Sequence, residues 1–134
     1  MIFGYGSGAS IFLCTRVVDL RKSFDGLSGA VRQYLGQDPV SGAYFVFVNR
    51  RCNLMKILVW DRHGFWVLAK RLEAGRFRMP QRGDTAGTGG QILPWEELLC
   101  MIEGIDLSKV RRQKRFSSDF SGKFLTKAEA APIL

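Results

Sequence analysis

Apolar residues in the middle of the chain fall into three short runs with the character of β-strands. Residues 43–48 (AYFVFV), 54–60 (LMKILVW) and 65–71 (FWVLAKR) are rich in aromatic and β-branched side chains. The polar turns NRRCN and DRHG separate these runs. Connections this short favour antiparallel pairing, because parallel strands need crossovers of a dozen residues or more. The pattern therefore predicts a central meander over residues 43–79, of three strands, or of four if residues 76–79 add a short one.

Residues 19–36 have the spacing of an amphipathic helix. Apolar side chains recur there every three or four positions, with Asp19 as the candidate N-cap and Gly36 as the candidate end. Gly26 and Gly29 weaken this helix, so its first turns could instead form a separate short turn.

Residues 94–105 predict a second helix. Pro94 suits the first helical turn, and Gly104 suits the end. On this spacing, three apolar side chains would face the sheet: Leu98, Leu99 and Ile102.

A short strand at residues 10–15 completes the set of predicted elements, and residues 80–90 are predicted to be a loop. Together the elements predict an α+β fold, a mostly antiparallel sheet of four to five strands with two helices packed on one face. Residues 1–106 would form a single domain. Residues 107–134 lose apolar periodicity and gain basic residues, so we expect a basic tail there.

Charge is distributed unevenly along the chain. The net charge is +8, with a local +7 over residues 43–82, −5 over residues 83–106 and +5 over residues 107–134. This asymmetry points to a polyanionic partner such as nucleic acid for the middle and the tail. The alternative from charge alone is a solvated basic face that aids solubility.

Cysteine and histidine usage argues against a metal centre. Cys14, Cys52 and Cys100 are far apart, no CxxC pair is present, and His63 is the only histidine. A structural zinc site needs four nitrogen or sulfur ligands at short spacings, so no metal or other cofactor is expected. The odd cysteine count and the lack of a signal peptide favour the reducing cytoplasm. Charges interrupt every apolar run before the about 20 residues of a membrane span.

Basic side chains in the meander and the tail are the candidate nucleic-acid contacts. Strand alternation places them on no single face, because the adjacent Lys70 and Arg71 must point in opposite directions. A basic rim along the hairpin ends is one arrangement that fits. The predicted contacts are Arg50, Arg51, Lys56, Lys70, Arg71, Arg76 and Arg78, with Arg111, Arg112, Lys114 and Arg115 in the tail.

Two tryptophans allow two interpretations. If exposed, Trp60 or Trp66 could stack on unpaired bases beside phosphate-binding arginines. The simpler interpretation is that both are core residues of the meander.

The sequence contains no catalytic constellation. His63 stands in the DRHG turn, where a lone histidine is usually only exposed, and Asp61 suits capping of the turn amides. Gly64 is the residue of this turn expected to need a positive φ. Two-metal nucleases need several converging carboxylates. Asp61 and Glu73 are the only acids of the basic segment 43–82. We therefore predict no enzyme activity and no catalytic residue.

Four stretches together resemble a known family. They are DLRKSFDGL at 19–27, DPVSGAYFVFVNRR at 38–51, KILVWDRHGFWVLAKRLEAGRFRMP at 56–80 and LLCMIEGID at 98–106. In this order and spacing they are similar to the small TnpB accessory protein of the sixty-six family of bacterial insertion sequences. The resemblance covers residues 9–106 and implies a role in transposition beside a separate, larger transposase that carries the strand-cutting acids.

The expected function is thus an accessory factor for DNA transposition. Its partners would be transposon-end DNA and the transposase of the same element. One alternative is a protein-interaction adaptor, in which the acidic helix 94–106 and the hairpin dock on the transposase without direct DNA contact. A small nuclease is the other alternative. Nothing in the sequence indicates the oligomeric state.

Overall fold

Five strands form one sheet: β1 (Ile11–Cys14), β2 (Tyr44–Val48), β3 (Leu54–Asp61), β4 (Gly64–Arg71) and β5 (Gly90–Ile92). Two helices accompany them: α1 (Phe24–Ala30), which continues as a π-helical turn at Val31–Leu35, and α2 (Trp95–Glu103). This computed structural model describes residues 8–80 and 90–105. The α+β class predicted from the sequence is confirmed.

The sheet has the spatial order β4-β3-β2-β1-β5 and is mostly antiparallel. The meander from β2 to β4 is confirmed, since both of its strand pairs are antiparallel. β1 pairs with β2 in parallel, which the long connection through α1 allows. The prediction of a possible fourth meander strand at residues 76–79 is wrong, because that segment is not a strand. The fifth strand is β5, which lies antiparallel to β1 and begins at the last residue of the predicted loop.

The two helices lie on opposite faces of the sheet, so the prediction that both pack on one face is wrong. Tyr44, Val46 and Val48 of β2 share a buried cluster with Leu98 and Met101 of α2. The intervening Phe45 and Phe47 point the other way and share a second buried cluster with Leu27 of α1. Every residue of β2 is buried, as expected for a strand that is covered on both faces.

The first helix begins later than its apolar spacing predicts. Residues 19–22 form a turn closed by the Lys22 amide, which donates to the Asp19 carbonyl oxygen at 3.2 Å. The helix itself begins at Phe24, so the alternative of a separate first turn is confirmed. Gly36 ends the π-helical turn in the left-handed conformation, with φ at 62°, as predicted.

The second helix has its predicted bounds to within two residues. Pro94 precedes it, and Gly104 ends it with φ at 81°. Leu98 and Met101 are buried and Ile102 is partly buried, whereas Leu99 is 44% exposed. The prediction that Leu99 faces the sheet is therefore wrong.

Candidate nucleic-acid interface

The turn between β2 and β3 is fixed by an asparagine. Asn49 Oδ1 accepts hydrogen bonds from the amides of Asn53 and Leu54 at 2.9 and 3.0 Å, and Asn49 Nδ2 donates to Asn53 Oδ1 at 2.7 Å. These bonds satisfy polar groups that a tight turn would otherwise leave unpaired. Arg50 and Arg51 lie between the two asparagines and are both exposed. The turn thus presents two arginines from a well-defined backbone.

The chain after β4 returns to the same turn. The Leu72 amide donates to the Asn53 carbonyl oxygen at 2.8 Å, and the Phe77 amide donates to the Cys52 carbonyl oxygen at 2.6 Å. The Phe77 side chain is buried in the cluster beneath α2. Phe77 therefore anchors its two exposed neighbours, which are Arg76 and Arg78.

Arg71 joins this group from the end of β4. It stands opposite Leu54, which directly follows the β2–β3 turn. Its guanidinium forms an exposed ion pair with Glu73 at 3.3 Å, an interaction that contributes little to stability. Five of the predicted contacts therefore meet at one end of the sheet. We call this region the arginine end, which comprises Arg50, Arg51, Arg71, Arg76 and Arg78.

The two predicted lysines of the meander are held by backbone oxygens instead. Lys56 lies on the α1 face, and its Nζ donates to the Lys22 carbonyl oxygen at 3.2 Å. Lys70 lies on the α2 face, and its Nζ donates to the Ile102 carbonyl oxygen at 2.7 Å. Both contribute charge, but each also joins the sheet to the segment that covers it. The four predicted tail contacts lie outside the described residues: Arg111, Arg112, Lys114 and Arg115.

The opposite end of the β3–β4 hairpin differs from its prediction. The positive φ of this turn belongs to Arg62, at 63°, and not to Gly64, so the prediction for Gly64 is wrong. The Asp61 carbonyl oxygen accepts the His63 amide at 2.7 Å. The Asp61 carboxylate does not cap the turn amides as predicted, because Oδ2 accepts the indole N–H of Trp66 at 3.3 Å.

The tryptophans of the hairpin belong to neither buried cluster. Trp60 is partly buried, and its ring meets that of Phe65 edge-on, with centroids 5.0 Å apart. Trp66 pairs with Val59 across the hairpin and is 47% exposed. The interpretation of both as core residues is therefore wrong, and Trp66 offers an accessible ring.

Asp19 and Cys14, which lie outside the β3–β4 hairpin, have shifted pKa values. The bidentate Arg21 guanidinium and the Arg21 amide lower the pKa of Asp19 to about 2. Burial raises the pKa of the Cys14 thiol. Within residues 8–80 and 90–105, no three histidine, cysteine, aspartate or glutamate side chains are grouped so that they could hold a metal ion.

The family model described as IS66 Orf2-like protein matches residues 9–112 of the chain. The chain belongs to the IS66 Orf2-like family. The match includes the whole arginine end and extends six residues beyond the resemblance read from the sequence, so that it includes Arg111 and Arg112. Membership associates the protein with a bacterial insertion sequence.

Two relatives of this IS66 Orf2-like protein come from Sinorhizobium fredii strain NBRC 101917 / NGR234. Uncharacterized protein y4jC is 32% identical over 112 residues, which cover 84% of this chain and 92% of the relative. Uncharacterized protein y4hO is 31% identical over 101 residues, which cover 75% and 84%. No solved structure matches the chain significantly. Within the described part of this family member, no helix has the length and apolar character needed to span a bilayer.

Proposed function

We propose that this protein is a non-enzymatic accessory factor for transposition of its insertion sequence, and that it binds transposon DNA through the arginine end. The observation that carries the proposal is the meeting of five arginines from two segments that are distant in sequence. Hydrogen bonds from Leu72 and Phe77 to the β2–β3 turn hold those segments together. Family membership supplies the link to an insertion sequence.

The electrostatics of the arginine end suit a phosphate backbone. Arginine binds phosphate through a planar fork of donors and keeps its charge at any physiological pH. Residues 43–82, which contain the arginine end, include only two acids. Asp61 lies at the far end of the hairpin, and Glu73 pairs with Arg71. Each phosphate that an arginine neutralises releases counterions, which favours binding at low salt.

The partner on the protein side is proposed to be the transposase of the same element, which would carry the cutting chemistry in the cytoplasm. The accessory protein would bind the DNA ends, and the tail residues would add attraction that is independent of sequence. These basic tail residues are Arg111, Arg112, Lys114 and Arg115.

A salt titration tests the DNA proposal. Affinity for transposon-end DNA is measured between about 50 and 200 mM salt, where five phosphate contacts at the arginine end alone would give a log–log slope of about −4.5 and contacts of the tail would steepen it. The paired substitutions Arg50→Gln with Arg51→Gln should flatten the slope by about 2. Arg32→Gln is the matched control, because Arg32 is exposed and lies on the π-helical turn outside the arginine end. Absence of binding at the lowest salt, or an unchanged slope in the paired variant, would contradict the proposal.

The outer face of α2 favours the adaptor as a second candidate. Leu99 is 44% exposed, and Glu96 and Glu103 lie about one helical turn before and after it. An exposed leucine between acids suits a basic segment of a protein partner better than it suits DNA. Retention of the purified transposase on the immobilised protein tests this candidate. Leu99→Gln should weaken retention while Arg50→Gln leaves it unchanged, and the reverse result would exclude α2 as the docking face.

A further inference from the structure

The tip of the β3–β4 hairpin carries an accessible aromatic ring in a defined orientation. Trp66 is 47% exposed although its partner across the hairpin, Val59, is buried. The indole N–H of Trp66 donates to Asp61 Oδ2 at 3.3 Å, and Asp61 is the last residue of β3. The carboxylate thus holds the indole N–H at the end of β3, while nearly half of the side chain stays accessible to a ligand.

The backbone of the tip is strained at a basic residue. Arg62 adopts φ of 63°, a conformation that glycine accepts and other residues rarely adopt. Gly64 lies two positions later, where its φ does not require glycine and where a Cβ atom would meet open space. An exposed arginine at a backbone conformation that costs energy is consistent with a contact role for its side chain.

The tip and the arginine end lie at opposite ends of the same hairpin. β3 and β4 each contain eight residues and pair along their full length. At about 3.3 Å per residue, the two ends are separated by about 23 Å. A single nucleic-acid strand could therefore contact both ends, since a strand that keeps the helical rise of about 3.4 Å per nucleotide covers this distance with about seven nucleotides.

We infer that the hairpin tip is a stacking site for an unpaired nucleobase, in which the Trp66 ring supports the base and Arg62 contacts an adjacent phosphate. This inference rests on the proposed function, because it extends the nucleic-acid surface from the arginine end to the tip. Base–aromatic stacking needs one exposed ring face and no sequence-specific donor, and cationic neighbours secure the strand. A base within a duplex is already stacked on both sides, so the site would select single-stranded segments.

The first test compares two labelled probes of the same sequence, a single strand of about 15 nucleotides and the corresponding duplex, long enough to span the about 23 Å between the two ends. With the full chain, Trp66→Ala should weaken binding of the single strand by about 5-fold to 150-fold, the usual range for losing one stacked base. Duplex binding should change by less than about 2-fold, because phosphate contacts dominate it. Phe24→Ala is the matched control, since Phe24 is another aromatic residue with 45% exposure.

A second measurement remains informative if Trp66→Ala folds poorly. Addition of the single strand should quench tryptophan fluorescence in the native chain, and Trp66→Phe should remove the quenching while retaining most of the affinity. Arg62→Gly should lower affinity for the single strand while raising the melting temperature, because glycine relieves the positive φ.

The failures of the two proposals are distinguishable. If the native chain binds nucleic acid but neither Trp66 variant changes single-strand affinity or quenching, the stacking site is wrong and the exposed ring is assigned to a protein partner. If the native chain binds neither probe, the proposed function falls and the stacking site falls with it.

Discussion

Lys70 Nζ donates a hydrogen bond of 2.7 Å to the backbone carbonyl oxygen of Ile102. This bond joins the edge strand β4 to the last turn of α2. Carbonyl oxygens in the last turn of a helix lack intrahelical partners, and the helix dipole places negative potential there. Lys70 therefore supplies both a donor and a positive charge where α2 needs them.

Lys70→Met should lower stability and leave DNA binding nearly intact. The substitution keeps an aliphatic chain of similar length but removes the donor, so we expect a loss of about 1 kcal/mol, seen as a lower melting temperature. Arg51→Gln is the counterpart, because it should lower affinity without changing the melting temperature. A Lys70→Met variant that melts normally but binds DNA poorly would place Lys70 in the nucleic-acid interface instead.

Gly90→Ala should destabilise the sheet at β5. A Cβ atom at this position would collide with the Leu35 side chain and lie 3.3 Å from the Leu13 carbonyl oxygen. Overpacking of this kind typically costs about 1–3 kcal/mol, measurable by chemical denaturation. Gly29→Ala is the control, because it meets open space within α1 and should stabilise by about 0.5–1 kcal/mol. Equal stability of the two variants would show that β5 can move away from Leu35.

In the β3–β4 turn, substitution of Arg62 should lower the stability of the protein, whereas substitution of Gly64 should not. Arg62→Val places a β-branched residue at φ of 63° and should destabilise by about 1 kcal/mol or more. Gly64→Ala has no positive φ to satisfy and no steric conflict, so its thermal melt should match or exceed that of the native chain. A lower melting temperature for Gly64→Ala than for Arg62→Val would contradict the assigned backbone.

Asp19 should titrate far below an ordinary aspartate. Its side chain accepts bonds from the Arg21 guanidinium and amide, which lower its pKa from 3.8 to about 2. A lowered folded-state pKa means that the stabilisation is complete above about pH 3.8 and is lost as the pH falls toward 2. NMR titration of the Asp19 carboxyl carbon would give the midpoint directly, and Arg21→Gln should move it toward 3.8. An unshifted midpoint in the native chain would show that the pair does not persist in solution.

Local pattern was enough to predict the meander but not the placement of the helices. The strands of the meander are apolar runs between short polar turns, and these features are encoded within a few residues. The faces of the two helices depend on β2, where residues 44–48 are apolar at every position and alternation carries no information. β5 is three residues long and relies on the fit of Gly90 against Leu35, which is distant in sequence.

For the candidate site, too, the local features could be predicted from the sequence and the long-range contacts could not. The basic residue types of the arginine end were visible in the sequence, but their meeting depends on the amides of Leu72 and Phe77 bonding back to the β2–β3 turn. Such long-range backbone bonds have no local signature. The acceptors of the Lys56 and Lys70 ammonium groups could not be predicted from the sequence either. They are backbone carbonyl oxygens of Lys22 and Ile102, which lie in segments distant along the chain.

The position of β1 has a consequence for folding on the ribosome. β1 is synthesised before the other four strands of the sheet, yet it lies inside the sheet between β2 and β5. Its two partners are made about 30 and about 75 residues later, which at about 5–20 residues per second is a delay of seconds. β1 can pair with β2 after the shorter delay, but its other edge stays unpaired until β5 has been made. Chaperone demand should be greatest in this interval and should end once residue 92 has left the exit tunnel.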